Sequence, residues 1–162
     1  MTGFIYNIQV KKPIDVKLTK EGFEKLQKEL EELKAKRPGV VTRLTAAREQ
    51  GDLSENAGYH AAKDELGYVD SRINEIKLLL RFGDVVESKG AETVGIGNTV
   101  IVENGQGQNE FSLVGHFEAD PTLGKLSEKS PIGAALIGKK VGEAVEIDVP
   151  DGKITFKIVE IR

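Results

Sequence analysis

Gly51-Asp52-Leu53-Ser54-Glu55-Asn56 is the stretch on which the fold turns. Before it, apolar side chains recur at Phe23, Leu26, Leu30, Leu33, Val40, Leu44 and Ala47. After it they recur at Tyr59, Ala62, Leu66, Val69, Ile73, Ile76 and Leu80. Both series step by threes and fours, with Arg37 interrupting the first, and this is the heptad seam of a coiled coil. Two such helices joined by a short loop must fold back antiparallel, so residues 51–56 lie at the far end of a rod. From about Lys20 to Gln50 the first helix spans roughly 45 Å at about 1.5 Å per residue. That is longer than a 162-residue chain needs for one compact core. The tip of the rod carries two carboxylates, Asp52 and Glu55, and no basic side chain.

Composition narrows the classes of function. A hydrophobic content of 39% with 30% charged residues is that of an ordinary globular chain, and the net charge of −3 exerts no global pull toward nucleic acid or membrane. There is no cysteine, which removes disulfides, thiolate nucleophiles and zinc fingers together. No apolar run approaches the roughly 20 residues that span a bilayer. The first residues, Met1 to Asn7, lack the basic flank and apolar centre of a signal peptide. These readings place the protein in the cytoplasm, with no membrane partner. Basic side chains are bunched locally at Lys34, Lys36, Arg37, Arg43 and Arg48, with Glu49 alone opposing them in that stretch. Such a run is either a solvated helix face or a basic stripe behind the acidic tip.

The chain divides into three parts. Residues 1–16 read as an N-terminal arm, extended or a short strand; residues 17–82 as the hairpin; and residues 83–162 as a β-rich domain. Thr19 is suited to cap the first helix, with Glu21 in the first turn. Pro38-Gly39 falls inside that helix, and the unbroken heptad phase across it predicts a kink rather than a stop. The second helix is expected from about Glu55 to Phe82, softened by Gly58 and Gly67 and ended by Gly83. Beyond it, strands are expected at 99–103, 110–115, 144–149 and 154–161. The last two join in a hairpin at Pro150-Asp151-Gly152-Lys153. Pro131 is placed to start a short helix between the two pairs of strands. The fold class is therefore α+β.

Two readings of the tip compete. Asp52 can be the N-cap of the second helix, with Glu55 completing a capping box and Gly51 closing the first helix. The same two carboxylates can be ligands for magnesium, which prefers carboxylate oxygen and retains several waters. Two groups on a rod do not make a complete site, but they can complete a second-metal position in another enzyme. Elsewhere the motifs are weak. Gly133 to Lys139 approximates a phosphate-binding loop, but Lys140 stands where Ser or Thr is required, and no buried strand precedes it. Gly95-Ile96-Gly97 lacks the third glycine of a dinucleotide fingerprint, and His60 and His116 have no nucleophile motif beside them.

The run Ala46-Ala47-Arg48-Glu49-Gln50-Gly51-Asp52-Leu53-Ser54-Glu55-Asn56-Ala57-Gly58-Tyr59-His60-Ala61-Ala62-Lys63 closely resembles the tip of the bacterial Gre transcript cleavage factors. Its Tyr59 to Lys63 portion looks like the GreA branch, and Ser127 to Gly138 resembles the family's second signature. The resemblance implies an antiparallel coiled coil followed by an FKBP-like C-terminal domain that docks on RNA polymerase. The coiled coil enters the polymerase's secondary channel, where the tip helps hold a magnesium ion during cleavage of backtracked RNA. Asp52 and Glu55 are then the catalytic acidic pair, sharing Mg2+ with the polymerase active centre, and the isolated protein binds no cofactor. Arg37, Arg43 and Arg48 are the candidate contacts to RNA or polymerase. The implied partners are bacterial RNA polymerase in elongation complexes and the nascent RNA 3′ end; a monomer with no enzyme activity of its own is expected. The arm at 1–16 is longer than the family usually carries, and Gly39 and Gly58 replace better helix formers.

Two rival readings remain open on sequence. One is a secondary-channel blocker that inhibits transcription, against which the intact Gly-Asp-x-x-Glu-Asn pattern argues. The other is a prolyl isomerase-like folding helper, which needs an aromatic-lined apolar pocket. Six Phe and three Tyr spread over the whole chain argue against one.

Overall fold

The structure, a computed structural model, describes residues 16–50, 56–88, 90, 92–149 and 152–162. Helix α1 runs unbroken over Lys20–Glu49 and α2 over Ala57–Phe82. Thr19 caps α1 as expected, its hydroxyl accepting from the Gly22 N–H at 3.0 Å. Pro38 lies inside α1, and the helix continues through it. Leu26, Leu30, Val40, Leu44 and Ala47 of α1 are buried, as are Ala62, Val69, Ile73 and Ile76 of α2. The heptad seam is thus the contact between the helices. Arg37, which interrupts the seam, is exposed and bonds Asp70 of α2 through two nitrogens, at 2.6 and 3.1 Å.

The seam's last step departs from the pattern. Leu79 is buried and Leu80 only partly so, a shift of one position from the heptad series. The cause lies at the hairpin's base, where α2 no longer faces α1 alone. Strand β1 (Lys17–Leu18) pairs in parallel with β2 (Asp84–Val85), tying the entry of the hairpin to its exit. Val16 and Leu18 are buried in one cluster with Leu26, Ile76 and Leu79. Val16, assigned on sequence to the arm, therefore belongs to the hairpin's core; residues 1–15 of that arm lie outside the described residues.

The second body is a five-stranded sheet in the order β5-β4-β3-β7-β6, comprising β3 (Thr99–Asn104), β4 (Gly107–Val114), β5 (Lys125–Ser127), β6 (Ala144–Val149) and β7 (Gly152–Ile161). All pairs are antiparallel except β4–β5. The expected strands and the β6–β7 pairing are present, while turn residues Pro150 and Asp151 lie outside the described residues; β5 is short and lacks β-branched residues, so nothing in its composition announces it. Alternation along β7 buries Phe156 and Ile158, then jumps to Ile161. A register shift opposite Ile101 and Val102 supplies the extra residue that returns Ile161 to the core. Helix α3 (Pro131–Leu136) starts at Pro131, capped by Ser130, and buries Leu136 against the sheet. Gly133 sits buried inside this helix, so the segment resembling a phosphate loop is a packed helical turn.

Candidate functional site

Asp52 and Glu55, with Gly51, lie outside the described residues, and the structure defines the frame that carries them. The cap of α1 is Gln50, whose N–H reaches the carbonyls of Ala47 and Arg48. The N-cap of α2 is Asn56. Its Oδ1 accepts from the Tyr59 N–H at 3.0 Å, while its Nδ2 donates to the Ala47 carbonyl at 3.0 Å. One side chain therefore satisfies a free donor at the start of α2 and supplements an acceptor at the end of α1. The alternative in which Asp52 caps α2, with Glu55 as its box partner, is overturned: the helix begins at Ala57, four residues beyond the position that reading needs. Sequence reasoning assigned no role to Asn56. The signal was available, since Asn is among the strongest N-cap residues and here immediately precedes the apolar series of α2.

Behind the tip, the two helices are laced by charge. Arg48 places its guanidinium 5.7 Å from the centroid of the Tyr59 ring, linking α1 to α2 one turn from the loop. Arg43 pairs with Glu65, and Lys36 reaches the same carboxylate at 2.8 Å. Lys34 pairs with Glu31 at 2.7 Å, and Arg37 with Asp70 as above. The basic run is thus accompanied by carboxylates, most of them from α2, which reading α1 alone does not reveal. The hydrogen bond from Lys36, then that from Arg43, holds the Glu65 carboxyl below its ordinary range, and Arg37 does the same for Asp70. These pairs are solvent-screened and of small worth, so their cations exchange readily to other anions.

His60 is exposed on α2 with its ring edge-on to Tyr59, and His116 is exposed at the start of a 3-10 turn, His116–Glu118. Among the described residues, no group of His, Asp and Glu could hold a metal ion. A cavity of about 350 Å³ lies between the hairpin's base and the sheet, lined by polar groups including Thr19, Glu21, Thr99, Ser112 and Lys125, with no aromatic ring. Phe111 and Phe156 instead pack edge-on against each other at 6.1 Å at the core of the sheet. The aromatic-lined pocket a prolyl isomerase needs is not found here. No helix among the described residues is long and apolar enough to cross a membrane.

Two family profiles match the chain. One, described as transcription elongation factor, N-terminal, covers residues 16–85; the other, described as transcription elongation factor, GreA/GreB, C-term, covers residues 87–162. The chain is 45% identical over 149 residues to transcription elongation factor GreA of Lactococcus lactis subsp. cremoris, covering 89% of this chain and 96% of that one. It is 48% identical over 149 residues to transcription elongation factor GreA of Macrococcus caseolyticus, covering 89% and 94%. Among solved structures, the crystal structure of GreA factor homolog 1 of Thermus thermophilus is 31% identical, covering 92% of this chain and 99% of that one, with a TM-score of 0.44.

Proposed function

Because this chain belongs to the GreA/GreB family of transcription elongation factors, we propose that it serves elongation by delivering Asp52 and Glu55 to the catalytic centre of RNA polymerase. There it stimulates the polymerase's own cleavage of backtracked RNA. The observation that carries this reading is the Asn56 bridge. With the cap of α2 supplied by Asn56 and that of α1 by Gln50, the carboxylates at 52 and 55 are not needed to terminate either helix. The stretch that carries them joins two helices of 30 and 26 residues.

Delivery follows from the architecture. A two-helix rod about 10 Å across each helix is slender enough to enter a channel, and its seam makes it stiff. Within that channel, Asp52 and Glu55 would offer oxygen ligands to a magnesium ion whose remaining positions are filled by the polymerase and water. Such an ion, when bound, activates water and stabilises the leaving oxygen of a phosphodiester. The chain's own residues bring the ligands, hold the loop ends with Asn56, and approach RNA or polymerase with Arg37, Arg43 and Arg48. By itself the protein lacks the rest of a nuclease site. The partner is RNA polymerase, reached through the sheet domain, with the RNA 3′ end adjoining the tip.

The test is release of short RNA from a halted, backtracked elongation complex in the presence and absence of the protein. Faster release, and renewed extension once nucleotides are added, is the expected result. Slowed nucleotide addition without RNA release would replace this reading with that of a channel blocker.

A further inference from the structure

The rod and the sheet domain meet at a joint made to close tolerance. The 3-10 turn His116–Glu118 brings the partly buried Glu118 against the start of α1, where its Oε1 accepts from the Thr19 N–H at 2.7 Å. The Thr19 hydroxyl donates to the other carboxylate oxygen and in turn accepts from the Gly22 N–H. Glycine lines both sides of the contact. A Cβ at Gly22 would lie 2.0 Å from the Glu118 carboxyl carbon, and one at Gly115 would lie 1.9 Å from the Lys17 carbonyl oxygen. Among the described residues, further polar ties across the joint include the partly exposed ion pairs Lys17–Glu128 at 3.1 Å and Lys125–Glu21 at 3.5 Å, each of small worth. Glu118 also lies at the positive end of the α1 dipole, where an anion is favoured.

The geometry points to Glu118 as a positioning residue that fixes the direction of the hairpin relative to the sheet domain, and so decides where the tip carboxylates arrive. This rests on the proposed delivery of Asp52 and Glu55 to the polymerase. The reason is leverage. From Gly22 to Gln50 the rod extends about 42 Å, so a swing of only about 5° at the joint moves the tip by about 4 Å. That displacement is about the separation of the paired metals in a two-metal site, and a misplacement of about 1 Å can lower a rate about a hundredfold.

Gly22→Ala makes a sharp test, because alanine is the better helix former at this first-turn position. The hairpin itself is strengthened while the Glu118 carboxylate is displaced from Thr19. The chain has no cysteine, so Lys63→Cys on α2 and Lys157→Cys on β7 supply unique sites for nitroxide labels in the full-length protein. In Glu118→Ala and in Gly22→Ala, the distance distribution between the labels should broaden or shift by at least about 3 Å, the swing above scaled to Lys63, which lies about 9 Å short of the tip. The maximal rate of transcript cleavage should fall at least about tenfold, while the half-maximal concentration changes less than about twofold. Glu118→Gln, whose carbonyl can still accept from the Thr19 N–H, should keep the native distance and most of the rate. Unaltered distances in both alanine variants would overturn the clamp, and altered distances with an undiminished maximal rate would overturn its role in positioning. Were the wild-type protein to release no RNA, the delivery reading would fall, and the label distances would still decide whether Glu118 orients the rod.

Discussion

Asn56 of α2 donates from Nδ2 to the carbonyl of Ala47 on α1 at 3.0 Å while its Oδ1 caps its own helix. The end of α1 is therefore tied to the start of α2 by one side chain with both functions of an amide in use. An aspartate could keep the cap but has no donor for Ala47.

Asn56→Ala should lower the stability of the full-length protein by about 1–2 kcal/mol, from loss of the cap and of one further hydrogen bond. Asn56→Asp should fall between the alanine variant and wild type. Thermal denaturation, with amide exchange at Tyr59, measures both. An alanine variant as stable as wild type would show that the bridge contributes nothing.

Asp52→Asn and Asp52→Ala should both leave stability within about 0.5 kcal/mol of wild type, since the cap of α2 is Asn56. The capping alternative gives a different result: alanine alone would cost about 1 kcal/mol. Cleavage stimulation should fall at least about tenfold in both, equivalent to about 1.4 kcal/mol of transition-state stabilisation, and added magnesium should recover part of it. Undiminished cleavage by either variant would remove Asp52 from the chemistry.

Glu65→Gln should lower the concentration of protein needed for half-maximal cleavage. Lys36 and Arg43 both lean on this carboxylate, and its neutralisation frees two cations for phosphate or polymerase. Arg43→Ala and Arg48→Ala should act in the opposite sense, each with a smaller effect at saturation, and raising the salt should shrink all three differences. A Glu65→Gln protein that needs a higher concentration would make the run a solvated face held in place by its acids.

Acidification should loosen the middle of the rod. Glu65 and Asp70 have folded pKa values below their unfolded ones, so their contribution to stability is present above the unfolded carboxylate value of about 4 and is lost as pH falls through the folded values. The melting temperature should decline below about pH 5, and Glu65→Gln with Asp70→Asn should flatten that decline. An equal slope in the doubly substituted protein would place the acid sensitivity elsewhere.

Gly67→Ala should stabilise α2 by up to about 1 kcal/mol, because the position is helical and a Cβ there meets nothing within 4 Å. A drop in melting temperature would mean that the glycine is needed for a contact the free protein does not make.

The hairpin was legible because its determinants are local and periodic. Leu26, Leu30, Val40 and Leu44, with Val69, Ile73 and Ile76, mark a seam at helical spacing, and that seam forms whatever else the chain does. The β6–β7 pairing and the start of α3 were equally open to reading, since the alternation of the two strands and the helix-starting Pro131 act within a few residues. The acidic pair at 52 and 55 was legible as a motif, although its geometry lies outside the described residues. Sequence alone offered Asp52 as the cap of α2 and passed over Asn56, because both residue types cap well and only the true start of the helix chooses between them. It also showed a bare basic run, because the carboxylates that answer it, Glu65 and Asp70, come from the other helix. The joint was beyond it altogether. Thr19 and Glu118 are 99 residues apart, and neither β1 nor β5 is long enough to carry a period. Contacts at that separation follow from how two finished bodies pack, and the closeness that Gly22 and Gly115 permit exists only once they have met.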